Sequence, residues 1–433
     1  MLKLISLISL SGEMAPKTIS KKVGSHTSRK NLLRRMCFAI LFFLLNAFFS
    51  TVVIAQTEIS SEEFMEYVSM LSSQLNESTK NKDYQTAEKL INETFALLNR
   101  MSQENQNNVN WLQPDLYYLR ACYLSMQNKV EAAVNDFEKA VEYGYTNYSQ
   151  AKMETDLDNI RTDNRFIVLL ESIREKGDFV HILRQSGKYQ SADTTGLPRF
   201  TYEKATSNNL RNVKQFFQLD DIAGEGDEIS KILNLMKWVH DNIRHNGSNY
   251  ALCEFTSIDL FNYHKSTGKG INCRHLAIVL NEIYLAMGIK SRYVTCGPKD
   301  NSDVHVINSV YSTTLNKWLW MDPTMNAYWK DENDNLLSIE EVRQRLIDDL
   351  PLVLNEDANR NNETQQTRAS YLDGWLAKHL YWFSIPVNSG FNTESRYRNT
   401  DQTYVLLIPL GYEPEDARVR TITTYDASYF WEY

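Results

Sequence analysis

Three residues of this 433-residue chain, Cys273, His305 and Asp322, have the types and the order for covalent acyl transfer. Cys273 opens a predicted helix from about Asn272 to Met287, whose apolar residues Leu276, Ala277, Leu280, Ile283, Tyr284 and Met287 would hold it against a core. The N-terminus of a helix carries partial positive charge and unpaired backbone N–H groups. Both favour an anionic sulfur, and the Cys273 N–H is free to help hold an oxyanion. Gly268 and Gly270 permit the tight backbone that presents the sulfur at the helix tip. A sulfur nucleophile needs an imidazole to pass a proton to the leaving group, and the imidazole needs a partner to orient it. His305 lies near the start of an expected strand, Val304 to Tyr311, and Asp322 follows another, Lys317 to Met321. Adjacent antiparallel strands would set the two side by side at a sheet edge, across from the helix tip. Cys, His and Asp so placed form the arrangement of covalent acyl transfer.

Each residue also has a structural reading. Buried cysteines are usually inert, and Cys122, Cys253 and Cys296 lack the context of Cys273, so they read as small core side chains. A Cys253–Cys296 disulfide is conceivable in an oxidising compartment. His275 rivals His305, but two residues along a helix its side chain points away from that of Cys273. Asp322 precedes Pro323 and could serve only as a turn cap.

The elements that must position these residues follow an α+β plan. Residues 56–177 read as helical, with the small-large-small triplets Ala87, Ile91, Thr94 and Ala133, Phe137, Ala140 at matching offsets. Such spacing lets paired helices approach closely, and it resembles the tetratricopeptide repeat. Residues 178–200 turn polar and broken, as a linker does. Residues 201–348 mix helix and strand around the three candidate residues. Residues 349–433 begin with an Asn-rich loop and continue as an aromatic, strand-forming extension, either packed on the middle domain or a small module of its own.

Four segments carry a wider resemblance: Gly270-Ile-Asn-Cys273-Arg-His-Leu-Ala277, Gly288-Ile-Lys-Ser-Arg292-Tyr-Val294, His305 within a β run, and Trp318-Leu-Trp-Met-Asp322-Pro-Thr324. In that order and at those intervals they resemble the transglutaminase-like core domain. The resemblance implies a papain-like fold and a thioester acyl-enzyme formed from an amide. It casts Cys273 as nucleophile, His305 as general acid/base and Asp322 as the residue orienting it. Transfer to an amine would cross-link proteins, and transfer to water would hydrolyse them. Where the family often has an aromatic after the His, this chain has Val306; beside the Cys it has Arg274 and His275. These departures bear on the acceptor and leave the three residues intact.

Residues 37–55 form an apolar run after Arg29, Lys30, Arg34 and Arg35, ending Val53-Ile54-Ala55. That is the layout of a cleaved secretory signal within residues 1–55, with an uncleaved membrane anchor as the competing reading. The protein is therefore expected to be exported: periplasmic, on the cell surface or secreted. Of 46 Lys/Arg and 54 Asp/Glu, eight and one lie in residues 1–55, leaving 38 against 53 and a net charge of −15. A surface so acidic disfavours nucleic acid. Expected partners are a protein or peptide substrate and a protein docked on the helical region, with the membrane reached only through an uncleaved N-terminal segment. No zinc spacing, phosphate-binding glycine loop or nucleotide fingerprint is present, so no cofactor is expected. Asp331, Asn333 and Asp334 lack the sixth-place Gly and twelfth-place Glu of a calcium loop. A transglutaminase-like scaffold without activity, binding protein or glycan, is the alternative to an enzyme.

Overall fold

The computed structural model describes residues 58–395, 402–413 and 421–432. The expected signal or anchor in residues 1–55 lies outside them. Among the described residues no helix is long and apolar enough to cross a membrane. The chain divides into two compact units, Met1–Asp136 and Phe137–Tyr433, and the division falls within the helix Val130–Glu142.

In the first unit, α1 (Ser61–Lys80), α2 (Tyr84–Leu98) and α3 (Gln113–Met126) are the principal helices, and α4 (Val130–Glu142) begins at its end. Ser60 starts α1 with a reciprocal capping box to Glu63, and the Asp83 side chain caps α2. Phe64, Val68, Leu71 and Leu75 recur at helical spacing along α1 and pack with Ala87, Ile91 and Leu98 of α2 and Leu116 and Tyr123 of α3. Arg120 grips Asp136 through two hydrogen bonds of 2.5 and 2.8 Å. Both small-large-small triplets are fully buried; Ala87, Ile91, Thr94 and Ala133 belong to this unit, Phe137 and Ala140 to the second.

The second unit is built on a six-stranded sheet of β1 (Ser291–Gly297), β2 (His305–Ser312), β3 (Lys317–Met321), β4 (Trp382–Pro386), β5 (Tyr404–Leu407) and β6 (Thr421–Thr424). The order is β6-β5-β4-β1-β2-β3, antiparallel throughout except for the parallel β5–β6 pair. Its further main helices are α5 (Glu228–Asn242), α6 (Ser257–Thr267), α7 (Cys273–Ala286) and α8 (Ile339–Ile347). Alternate strand residues face opposite ways. Tyr293, Val306, Val310, Leu319 and Met321 meet Leu276, Ala277, Leu280 and Ile283 of α7. Val294, Ile307, Trp320, Phe383 and Ile385 meet Ile339 and Val342 of α8 together with Tyr371, Leu376 and Leu380. Burial on both faces makes β1 an interior strand, and it lies between β2 and β4.

The C-terminal strands β4, β5 and β6 take the first of the two expected forms, an extension of the middle domain: they continue the sheet from the free edge of β1, because an apolar strand buried on both faces needs neighbours on both edges. Residues 178–200, read as a linker, contain the short helix Phe179–Arg184, whose Leu183 joins the core. Beyond it, the Gln190 and Ala192 N–H groups donate to the Tyr425 carbonyl and the Asp426 carboxylate.

Arg292 on β1 is fully buried. Its guanidinium lies over the rings of Trp318, Phe200 and Trp431, at 4.2, 5.2 and 5.8 Å. Burial holds its pKa below the usual arginine value, opposed by the Tyr202 and Tyr429 hydroxyls.

Candidate active site

Local backbone contacts place Cys273 at the tip of α7. The Asn272 side chain accepts a hydrogen bond of 3.0 Å from the His275 N–H and starts the helix. Just before it, Ile271 bridges His245, with N–H groups exchanged at 2.8 and 2.9 Å between Ile271 and residues Arg244 and Asn246. Gly270 is required there, since a Cβ would come within 2.8 Å of the Arg244 carbonyl oxygen. Farther along the helix, the Ala277 carbonyl accepts from Asn308 of β2 at 2.9 Å, inside the core. That bond fixes the first turn of α7 against the strand that begins with His305.

His305 and Asp322 share the face of Ile307 and Trp320 on neighbouring strands. They are 2% and 0% exposed, and His305 Nε2 lies 2.8 Å from Asp322 Oδ2. The Cys273 sulfur is the next group to act on the ring after Asp322, favouring its charged form. Burial acts against a charged imidazole, but the neighbouring Asp322 carboxylate, aided by the sulfur, overcomes it and raises the His305 pKa. Burial would likewise raise the Asp322 pKa; His305, the Tyr371 hydroxyl and the Thr324 N–H together hold it below the usual carboxylate value. Cys273 is partly exposed, as a nucleophile must be to meet a substrate. The structure thus joins His305 to Asp322 and sets Cys273 where it acts on the imidazole.

The rivals are elsewhere engaged. His275 is buried, its ring 4.5 Å from Phe255 and 5.0 Å from Tyr250. Arg274 donates to Glu394 at 2.8 Å and to Thr295 at 2.9 Å, and Glu394 also accepts from the Tyr293 and Tyr404 hydroxyls. Cys253 and Cys296 are unbridged; Cys296 faces His305 across the β1–β2 pair, with burial pushing its thiol well above the usual value. Val306 is core. Among the described residues no group of three or more His, Cys, Asp or Glu side chains is placed to hold a metal.

Sequence reasoning missed four residues at this site. Tyr371 donates to Asp322 Oδ2 at 2.6 Å, and the Trp375 ring stands edge-on to His305 at 4.8 Å. His379, 6.4 Å from His305, lies 3.1 Å from Asp303. His245 is held neutral by burial and the nearby Arg360, down to about 3, and its Nδ1 has no hydrogen-bond partner. The first three sit far along the chain among aromatics that read as core, and His245 sits in a polar loop with no flanking pattern.

Residues 218–323 match the family model of the transglutaminase-like superfamily. The chain carries a transglutaminase-like domain. A search of curated proteins finds no match. Among solved structures, a chain from Cytophaga hutchinsonii described as "a Putative Cysteine Protease" is similar at 17% identity and a TM-score of 0.22. That likeness covers 39% of this chain and 55% of the other, about half of its length. The matched part of the transglutaminase-like domain contains Cys273, His305 and Asp322, and ends before Tyr371, Trp375 and Glu394.

Proposed function

We propose that the protein is an exported cysteine enzyme that attacks amide bonds of a protein or peptide through Cys273, His305 and Asp322. The observation that carries this reading is the buried His305–Asp322 hydrogen bond, with the partly exposed Cys273 sulfur close enough to favour the charged imidazole. The sulfur attacks the carbonyl carbon, and the carbonyl oxygen takes the negative charge beside the Cys273 N–H at the helix tip. As the C–N bond breaks, His305 gives its proton to the departing amine, leaving a thioester. Water then attacks, His305 takes its proton, and the acid product leaves with Cys273 restored. Asp322 stays ionised and keeps the imidazole in register. Hydrolysis is favoured over cross-linking because no amine-binding feature is recognisable beside the sulfur. The helical region, with its tetratricopeptide-like spacing, would recruit or orient the protein acted upon. An inactive scaffold would leave the base and the sulfur apart, and selective reactivity of Cys273 distinguishes the two readings.

The test is alkylation of the purified chain with iodoacetamide near neutral pH, mapped by mass spectrometry. Selective labelling of Cys273, absent in Cys273→Ala, is the expected result. Labelling at Cys122 or Cys253 with Cys273 untouched would overturn the assignment.

A further inference from the structure

The Asp322 carboxylate is held by more than the imidazole. Its Oδ1 accepts from the Thr324 N–H at 2.8 Å, while its Oδ2 accepts from two donors, His305 Nε2 at 2.8 Å and Tyr371 Oη at 2.6 Å. Tyr371 is 0% exposed, and its ring stacks parallel to Trp329, with centroids 5.9 Å apart and planes 4° apart, and against Trp375 at 6.1 Å. So packed, the ring has no room to turn its hydroxyl elsewhere. Two donors on one oxygen share its electron density, so each bond weakens the other's pull.

We propose that Tyr371 is a positioning residue of this site: its hydroxyl fixes the Asp322 carboxylate and moderates its hold on the His305 proton, so that the imidazole can release it to a leaving group. The inference rests on the reading of Cys273 and His305 given above. The other ionisable groups facing the pair are Cys273 from α7, Cys296 from β1, His245 beside Ile271, and His379 with Asp303 and Lys378. None of these donates to Asp322 Oδ2. Without the Tyr371 hydroxyl, that oxygen concentrates on His305, and the imidazolium keeps its proton to higher pH.

Tyr371→Phe removes the hydroxyl and keeps both ring contacts. The rate of Cys273 alkylation by iodoacetamide against pH reports loss of the imidazolium as its upper inflection. That inflection should move up by about one pH unit in Tyr371→Phe. Superimposed profiles, with Cys273 labelled in both, would overturn the role of Tyr371. A purely packing role would lower the melting temperature and leave the inflection in place. If Cys273 is not labelled in the wild type, the enzymatic reading fails. The proton resonance of the His305–Asp322 bond then decides the matter alone, a downfield move in Tyr371→Phe supporting the proposal and an unchanged one overturning it. Should Tyr371→Phe not fold, 3-fluorotyrosine at position 371, a stronger donor of nearly the same shape, must move the inflection or the resonance in the opposite direction, and no change overturns the proposal.

Discussion

Cys273, His305 and Asp322 lie within the segment that matches a family model, whereas Tyr371, Trp375 and Glu394 reach the same site from a stretch beyond it. The first group supplies the atoms that would react. The second touches an atom or neighbour of each: Tyr371 bonds Asp322, Trp375 covers His305, and Glu394 pairs with Arg274, next to the sulfur. Reactivity and its surroundings are therefore encoded in separate parts of the chain, joined because β4 completes the sheet beside β1.

Changes in the two groups should differ in kind. The largest effect is expected for Asp322→Asn, which cannot hold the imidazolium: kcat/KM on the peptide amide turned over fastest by the wild type should fall by about 10³-fold or more. An unchanged rate would remove Asp322 from the mechanism. Glu394→Gln should act on stability first, since it leaves the Arg274 guanidinium buried without its counter-charge; a loss of about 3 kcal/mol in urea unfolding is expected. If turnover falls as steeply as in Asp322→Asn while the fold stays firm, the division between the groups fails. Trp375→Ala should cost about 2 kcal/mol, the ring being only partly buried, and should admit water to the His305–Asp322 pair. The upper inflection of Cys273 alkylation should then move down, opposite to Tyr371→Phe.

The smallest effect is the pH dependence of stability. The His305 pKa is raised on folding, so its contribution is complete below its unfolded value of about 6.5 and fades as pH rises through the folded one. The Asp322 pKa is lowered, so its contribution is complete above about 3.8 and fades as pH falls. Urea midpoints in the wild type should be highest between those two values, and the Asp322→Asn profile should be flatter across them.

The site was legible in sequence where its residues sit in local patterns. Cys273 could be found because glycines precede an apolar helix that it opens, and His305 and Asp322 because each adjoins a readable strand. Tyr371 could not: its bond spans 49 residues and depends on the chain returning across the sheet. Its aromatic neighbours gave it the look of ordinary core, which it also is. The sheet was half legible. The strand character of Trp382–Pro386 and Tyr404–Leu407 shows in their composition, but their place beside β1 follows only from the burial of both its faces. Phe179–Arg184 was hidden by the polar residues after it, though its Leu183 marks the core face.

The aromatic seat of Arg292 has a consequence at the acid extreme. Carboxylates lose their grip on cations when they take up protons, but the faces of Trp318, Phe200 and Trp431 have nothing to protonate. As acidification loosens the pairs around Asp322 and Glu394, this staple between β1, β3 and the chain's last residues keeps its strength. Unfolding at low pH should accordingly begin at the reactive end of the sheet and reach the Arg292 corner last.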